Sequence, residues 1–198
     1  MNLVYDFSRW LLFVVFLNII LIVCLLFIES SDEKILLWAR YTARISFFFF
    51  IISFSASSMC TLFSNRFTRF VRNQRRYIGL SFALAHTVHL IALTTFFITS
   101  SLPPDIFTLV TGGLGYAVMY LMAVTSNDKA VKKLGFRRWK LLHKFGVNYI
   151  AIIFTVTYFG KLVREKFVSI EFSLLLSIVF FAFLLRMLNF LRTRNTVK

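Results

Sequence analysis

The sequence predicts an all-α polytopic membrane protein: a six-transmembrane-helix bundle with both termini cytoplasmic, forming a single domain over residues 1–198. Three observations predict it. Apolar residues make up 59% of the chain, where soluble domains sit nearer about 45–50%. Mean hydropathy is +0.77, and the apolar residues fall into six runs, each near the ~20 residues that a helix needs to cross hydrocarbon. The charged residues, only 16% of the total, gather in the short segments around those runs.

The runs are residues 10–28, 45–63, 77–99, 107–125, 145–162 and 172–188. The first resembles a signal peptide in position. Its apolar core is too long for one, and no small-residue cleavage site precedes Glu29, so a retained anchor is expected. The second carries Ser53, Ser55, Ser57 and Ser58, whose hydroxyls should bond across helices or back to their own carbonyls. The third holds His86 and His89, and residues 100–105 then form a tight outer turn. The fourth contains Thr111-Gly112-Gly113-Leu114-Gly115-Tyr116-Ala117. Gly113 and Ala117 form a small-xxx-small pair that should let a neighbouring helix approach closely. His143 opens the fifth. Cys24 and Cys60 sit near opposite ends of the first and second runs, too far apart for a disulfide.

Lys and Arg decide the orientation. With both termini inside, residues 9, 66–76, 129–144 and 186–198 place 17 basic residues on the inner side. Only 6 remain outside, at Lys34, Arg40, Arg44, Lys161, Arg164 and Lys166. This pattern explains the net charge of +15 as topology and attraction to anionic membrane lipid, so no nucleic-acid partner is expected. A plasma or inner membrane suits it.

The eight acidic residues all lie outside the runs. Proton pumps and ion-coupled carriers usually place Asp or Glu at membrane depth, and carboxylate-bridged metal sites need them beside His. Both classes are disfavoured, as are channels and transporters with Gly- or Pro-broken helices. No glycine fingerprint for phosphate is present, and no segment is large enough for a flavin or nicotinamide domain. Hydrolytic catalysis lacks an acidic partner for any His and a nucleophile elbow.

What remains chemically is His86, His89 and His143, the only histidines. Ionisable groups at membrane depth are functional candidates by default. His86 and His89 are three residues apart and share one helix face. A histidine on each of two neighbouring helices can hold a haem iron from opposite faces. The second imidazole nitrogen then needs a partner, for which Thr87, Ser81 or backbone carbonyls are available. The plainer reading is that each His hydrogen-bonds a neighbouring helix.

Two blocks carry a family likeness. One is Arg75-Arg76-Tyr77-Ile78-Gly79-Leu80 leading into His86 and His89. The other is Thr125-Ser126-Asn127-Asp128 followed by Leu134-Gly135-Phe136-Arg137-Arg138-Trp139-Lys140-Leu141-Leu142-His143. They resemble the ferric reductase-like transmembrane domain family, above all its compact six-helix members. These include the haem-binding membrane subunit of the periplasmic methionine sulfoxide reductase system. The resemblance implies b-type haem and electron transfer across the membrane, making the chain a component of a membrane oxidoreductase. Electrons would come from a separate cytoplasmic flavin reductase or quinone and leave to an acceptor on the outer side. It implies that His89 is the third-helix ligand and His143 the first fifth-helix ligand, with His86 an extra histidine on the same face.

One departure stands out. The family has a second fifth-helix His about 13 residues beyond the first, where this chain reads Phe154-Thr155-Val156-Thr157-Tyr158. Depth also bears on the choice. His89 should lie ~20 Å and His86 ~15 Å along the third helix from Arg76, whereas His143 lies near the inner edge, which makes His86 its easier partner. Tyr158 falls at about the depth of His89, and tyrosinate can ligate haem. The alternative is a non-redox helix bundle of the same fold that has lost full haem ligation.

Overall fold

The structure is a computed structural model that describes residues 3–100, 103–164 and 169–195. Among the described residues the regular structure is entirely helical: α1 (Leu3–Leu26), α2 (Ser31–Leu62), α3 (Arg66–Thr99), α4 (Ile106–Val124), α5 (Asp128–Leu134), α6 (Phe136–Arg164) and α7 (Ile170–Asn195). All but α5 are long and apolar enough to cross a membrane, which is the architecture of a multi-pass integral membrane protein. Large apolar side chains such as Leu12, Phe16, Phe107 and Phe181 remain on the outside, as a hydrocarbon solvent allows.

The six apolar runs lie within these helices, but several helices begin well before them. α2 starts at Ser31 rather than residue 45, α3 at Arg66 rather than 77, and α6 at Phe136 rather than 145. Lys34, Arg40 and Arg44 are therefore helical residues of α2, not an outer loop. The five arginines at 66–76 form the first turns of α3, and α5 is an additional element. At ~1.5 Å per residue, α2 and α3 each approach ~50 Å and outrun a ~30 Å hydrocarbon core. Of the tight turn expected at 100–105, residues 101–102 lie outside the described residues, as do Glu165 and Lys166.

Helix starts are set by caps rather than by hydropathy. Ser30 Oγ accepts from the Glu33 amide at 3.3 Å, a Ser-x-x-Glu capping pattern. Ahead of α3, Asn65 Oδ1 accepts from the Thr68 amide at 2.8 Å, and Thr68 Oγ1 accepts from the Asn65 amide at 3.2 Å. Asp105 Oδ1 takes the Thr108 amide at 2.9 Å, and Asn127 Oδ1 takes the Ala130 amide at 2.8 Å. Each satisfies a donor that the first helical turn leaves open.

Gly135 separates α5 from α6 at φ 79°, ψ 141°, a region that only glycine enters without strain. A Cβ there would meet nothing within 4 Å, so a substitution is penalised through the backbone alone. Gly135→Ala is expected to lose about 1–3 kcal/mol, read as a lower thermal midpoint in detergent. An unchanged midpoint would contradict the strained turn.

The chain divides into two compact units, each discontinuous in sequence. The first is Met1–Ser53 with Gln74–Leu109, and the second is Phe54–Asn73 with Val110–Lys198. In the first, α1 docks through Trp10, whose Nε1 donates to Gln74 Oε1 at 3.2 Å. Trp10 and Phe13 set their ring edges against Phe49 at 6.5 and 5.9 Å. In the second, α4 and α6 pack antiparallel. A Cβ at Gly146 would lie 2.5 Å from Met122 Sδ, and one at Gly115 would lie 2.8 Å from Ile153 Cδ1. The close approach expected at Gly113 and Ala117 therefore falls elsewhere: a Cβ at Gly113 meets nothing within 4 Å, and Ala117 is exposed. Both cysteines are free thiols, Cys24 exposed and Cys60 buried.

Candidate functional site

Within the first unit, α2 and α3 run antiparallel in a constant register. Gly79, Phe82, His86 and His89 of α3 meet Ser53, Phe50, Ser46 and Thr42 of α2 in reverse order. A Cβ on Gly79 would lie 3.4 Å from Ser53 Oγ. The Phe50 and Phe82 rings are 5.2 Å apart. Ser46 Oγ is 2.9 Å from His86 Nδ1, and Thr42 Oγ1 is 3.3 Å from His89 Nδ1. The spacings, three, four and three along α3 and three, four and four along α2, are those of a helix–helix seam. Small hydroxyl residues on α2 leave room for the rings of α3 and also supply polar partners. The Arg75 Nε donates to the Ser53 carbonyl at 3.1 Å, closing this seam at its arginine-bearing end.

The hydroxyl bonds suit one tautomer of each histidine. A hydroxyl has one proton to donate. Ser46 gives its proton to the Ala43 carbonyl at 2.8 Å, so its oxygen accepts from the Nδ1–H of His86. Thr42 gives its proton to the Trp38 carbonyl at 2.7 Å, shared with Ala39 at 3.2 Å, so it accepts from the Nδ1–H of His89. In a neutral imidazole the lone pair then sits on Nε2 in both rings. This is the state in which histidine ligates a metal, with the other nitrogen oriented by a hydrogen bond. Of the partners expected on α3, Thr87 donates to the Ala83 carbonyl at 2.8 Å. Ser81 Oγ is buried without a hydrogen bond among the described residues, as is Trp38 Nε1, one turn beyond Thr42 on α2.

The His86 and His89 ring centroids are 5.2 Å apart and tilted by 40°. Two imidazoles on opposite faces of one iron need centroids about 6 Å apart, from metal–nitrogen distances of about 2 Å. Both also project from adjacent turns of the same helix, so a macrocycle between them would have to cut through α3. The pair would therefore offer a haem one histidine, not two. Of the two, His86 is held more firmly, with the shorter bond to α2 and the Phe82 ring 5.2 Å away.

His143 belongs to the second unit, about two turns into α6. Thr125 Oγ1 donates to the Leu121 carbonyl at 2.6 Å and lies 3.2 Å from His143 Nε2. The same proton argument makes Nε2–H the donor and puts the lone pair on Nδ1. Trp139 covers the ring at 4.5 Å between centroids, while its own Nε1 donates to the Thr125 carbonyl at 3.0 Å. Thr125, Trp139 and His143 thus lock the α4–α6 connection together. Tyr158, also in this unit, is buried with Phe154 and Phe172 rings at 5.9 and 6.4 Å.

The sequence reading passed over Arg186. It fell two residues inside the last apolar run and was grouped with the tail charges. Its guanidinium donates to the Phe54 carbonyl at 3.1 Å, reaches Asn148 Oδ1 at 3.5 Å, and lies 4.2 Å above the Phe54 ring. A charged residue inside an otherwise apolar run was the signal that marked it. No protein-family model, curated protein or solved structure matches the chain.

Proposed function

We propose that this protein is a haem b-dependent electron carrier of the membrane, of ferric reductase-like type, with His86 as the haem ligand contributed by the first unit. The observation that carries the reading is the pair of hydroxyl-anchored imidazoles in the α2–α3 seam. Ser46 and Thr42 hold the Nδ1–H groups and turn the lone pairs to Nε2. The Trp38 indole N–H, buried with its donor unspent, is a polar group along the same seam for a bound ligand to satisfy. Haem supplies one-electron redox chemistry that no side chain here offers. The chain's own part is to orient the imidazole, raise its basicity through the Ser46 bond, and exclude water with Phe50 and Phe82. The two family-like blocks support the same assignment, as do the six helices long and apolar enough to cross a membrane, which the basic residues would orient with both termini cytoplasmic. Electrons would then enter from a separate cytoplasmic flavin reductase or quinone and leave on the outer side of a plasma or inner membrane.

The test is spectral. Protein expressed with haem supplied and purified in mild detergent should show a Soret band and b-type α and β bands in the reduced-minus-oxidised spectrum. Absence of these bands overturns the reading.

One observation favours a second reading, a non-redox bundle. His86 and His89 each bond a hydroxyl of α2, and His143 bonds one in the turn that follows α4, which is how polar side chains hold membrane helices together. In that case replacing any one of them by Ala lowers the thermal midpoint and leaves no spectral change to find.

A further inference from the structure

We infer that the corner joining α2 to α3, residues 62–72 of the second unit, is a docking surface for a soluble protein with an acidic rim around an apolar pocket. None of the histidines takes part, so this surface stands apart from the haem reading. The backbone of the corner is held tightly. Thr68 Oγ1 donates to the Phe63 carbonyl at 2.9 Å and accepts from the Asn65 amide at 3.2 Å, and Asn65 Oδ1 takes the Thr68 amide at 2.8 Å. Arg69 Nε donates to the Asn65 carbonyl at 3.3 Å, and Arg72 reaches Cys60 Sγ across the hairpin at 3.8 Å. Thr68 and Val71 are buried, yet Phe63, Phe67 and Phe70 are each more than half exposed. A rigid turn thus carries its largest apolar side chains on the outside.

Depth decides between lipid and protein as their cover. α7 runs parallel to α2 here: Arg186 donates to the Phe54 carbonyl, Asn189 to Ser58 Oγ, and Arg192 to the Thr61 carbonyl. The last apolar run ends at residue 188, so the hydrocarbon ends about level with Ser58. Leu62 lies ~6 Å farther along α2. Arg72 stands opposite Cys60, which puts Phe70 level with Leu62 and Phe67 ~10 Å past the hydrocarbon edge. The headgroup layer on each side is only about 5–7 Å deep. Phe67 therefore reaches the aqueous rim, where an exposed apolar patch marks a protein contact. Charge states the partner's chemistry. Phe67 and Phe70 are three residues apart and share a face of α3, and Arg66, Arg69 and Arg72, all exposed, run beside them. Aromatic residues and arginine are the composition enriched at protein interfaces, and guanidinium pairs with carboxylate through forked bonds. A turn already locked by hydrogen bonds gives up little freedom on binding.

The probe is p-benzoylphenylalanine, a photoreactive phenylalanine analogue, placed at Phe67 of the full chain and irradiated in cells of the native host. It inserts into whatever lies against the ring, protein or lipid. The expected result is one discrete protein adduct, identified by mass spectrometry as a soluble protein of acidic isoelectric point, and absent when the probe sits at Phe181 on the outside of α7. R66E/R69E should weaken that adduct at least about tenfold. Salt gives a second reading that leaves the arginines in place: in cells opened before irradiation, the yield should fall as ionic strength rises. Adducts with lipid alone overturn the protein as occupant. No protein adduct at all, the same adduct from Phe181, or a yield unmoved by salt or by R66E/R69E in a folded chain overturns the docking surface.

Discussion

His86→Ala is expected to abolish haem binding, while His89→Ala leaves most of it in place. The asymmetry follows from the geometry of the pair. Rings 5.2 Å apart on neighbouring turns of α3 would not both hold one iron, so only one replacement would remove a ligand. The 2.9 Å bond to Ser46 selects His86 over His89, whose bond to Thr42 is 3.3 Å. Ser46→Ala should then act on the iron indirectly. It frees the His86 ring to turn, and loss of such an orienting partner typically costs about 10–100-fold in metal affinity. Thr42→Ala should cost far less. The measurement is the Soret absorbance per protein after titration with haemin. If His89→Ala removes the band and His86→Ala retains it, the assignment within the pair is reversed. If His86, His89 and the double variant all bind like the wild type, the ligand lies outside this seam. His143→Ala separates a further role: its bond to Thr125 and its cover by Trp139 predict a lower thermal midpoint with the band retained.

How much of this was legible in the sequence depends on the range over which each signal acts. The six spanning helices were legible because a run of some twenty apolar residues has no other use in so small a chain. Their starts were not, because hydropathy marks where hydrocarbon begins while the backbone ladder continues into the interface. The true starts are written in four-residue patterns, Ser30 with Glu33 and Asn65 with Thr68, which a hydropathy window averages away. Close helix contact shows the same division. Gly113 and Ala117 make a one-helix motif, but approach is a property of two helices, and the residues that decide it, Ile153 and Met122, lie 38 and 24 positions from the glycines they meet. The histidines were legible as rare groups in apolar surroundings. Their partners were not, since Ser46, Thr42 and Thr125 stand 40, 47 and 18 positions away and serine in a membrane helix has many plainer uses. Arg186 was visible but was read as part of the tail charge.

The largest expected structural effect lies in the other seam. Gly146→Leu should lower the thermal midpoint of the protein more than any other single glycine replacement in the helices. A Cβ at Gly146 would lie 2.5 Å from Met122 Sδ, 2.9 Å from Val118 Cγ1 and 3.0 Å from Met122 Cε. The methionine is unbranched and can swing its end away, but Val118 is β-branched and stiff on its helix. Alanine therefore already forces Met122 to swing away and Val118 to give by a few tenths of an ångström. Leucine must displace Val118 or part α4 from α6, and overpacking of this kind costs about 1–3 kcal/mol or more. Parting the helices also strains the next turn, where Thr125 holds His143 and Trp139. At Gly115 the one close atom among the described residues is Ile153 Cδ1, at 2.8 Å, the end of a flexible chain, so Gly115→Ala should cost little. Gly113→Leu faces open space and should cost about what leaving lipid-facing helix surface unchanged costs, close to nothing. The ordering Gly146→Leu, then Gly146→Ala, then Gly115→Ala, with Gly113→Leu last, is measured by thermal unfolding in one detergent. Should Gly113→Leu prove as damaging as Gly146→Leu, α4 presents a different face to its neighbour, and the lock of Thr125, Trp139 and His143 built on that face goes with it.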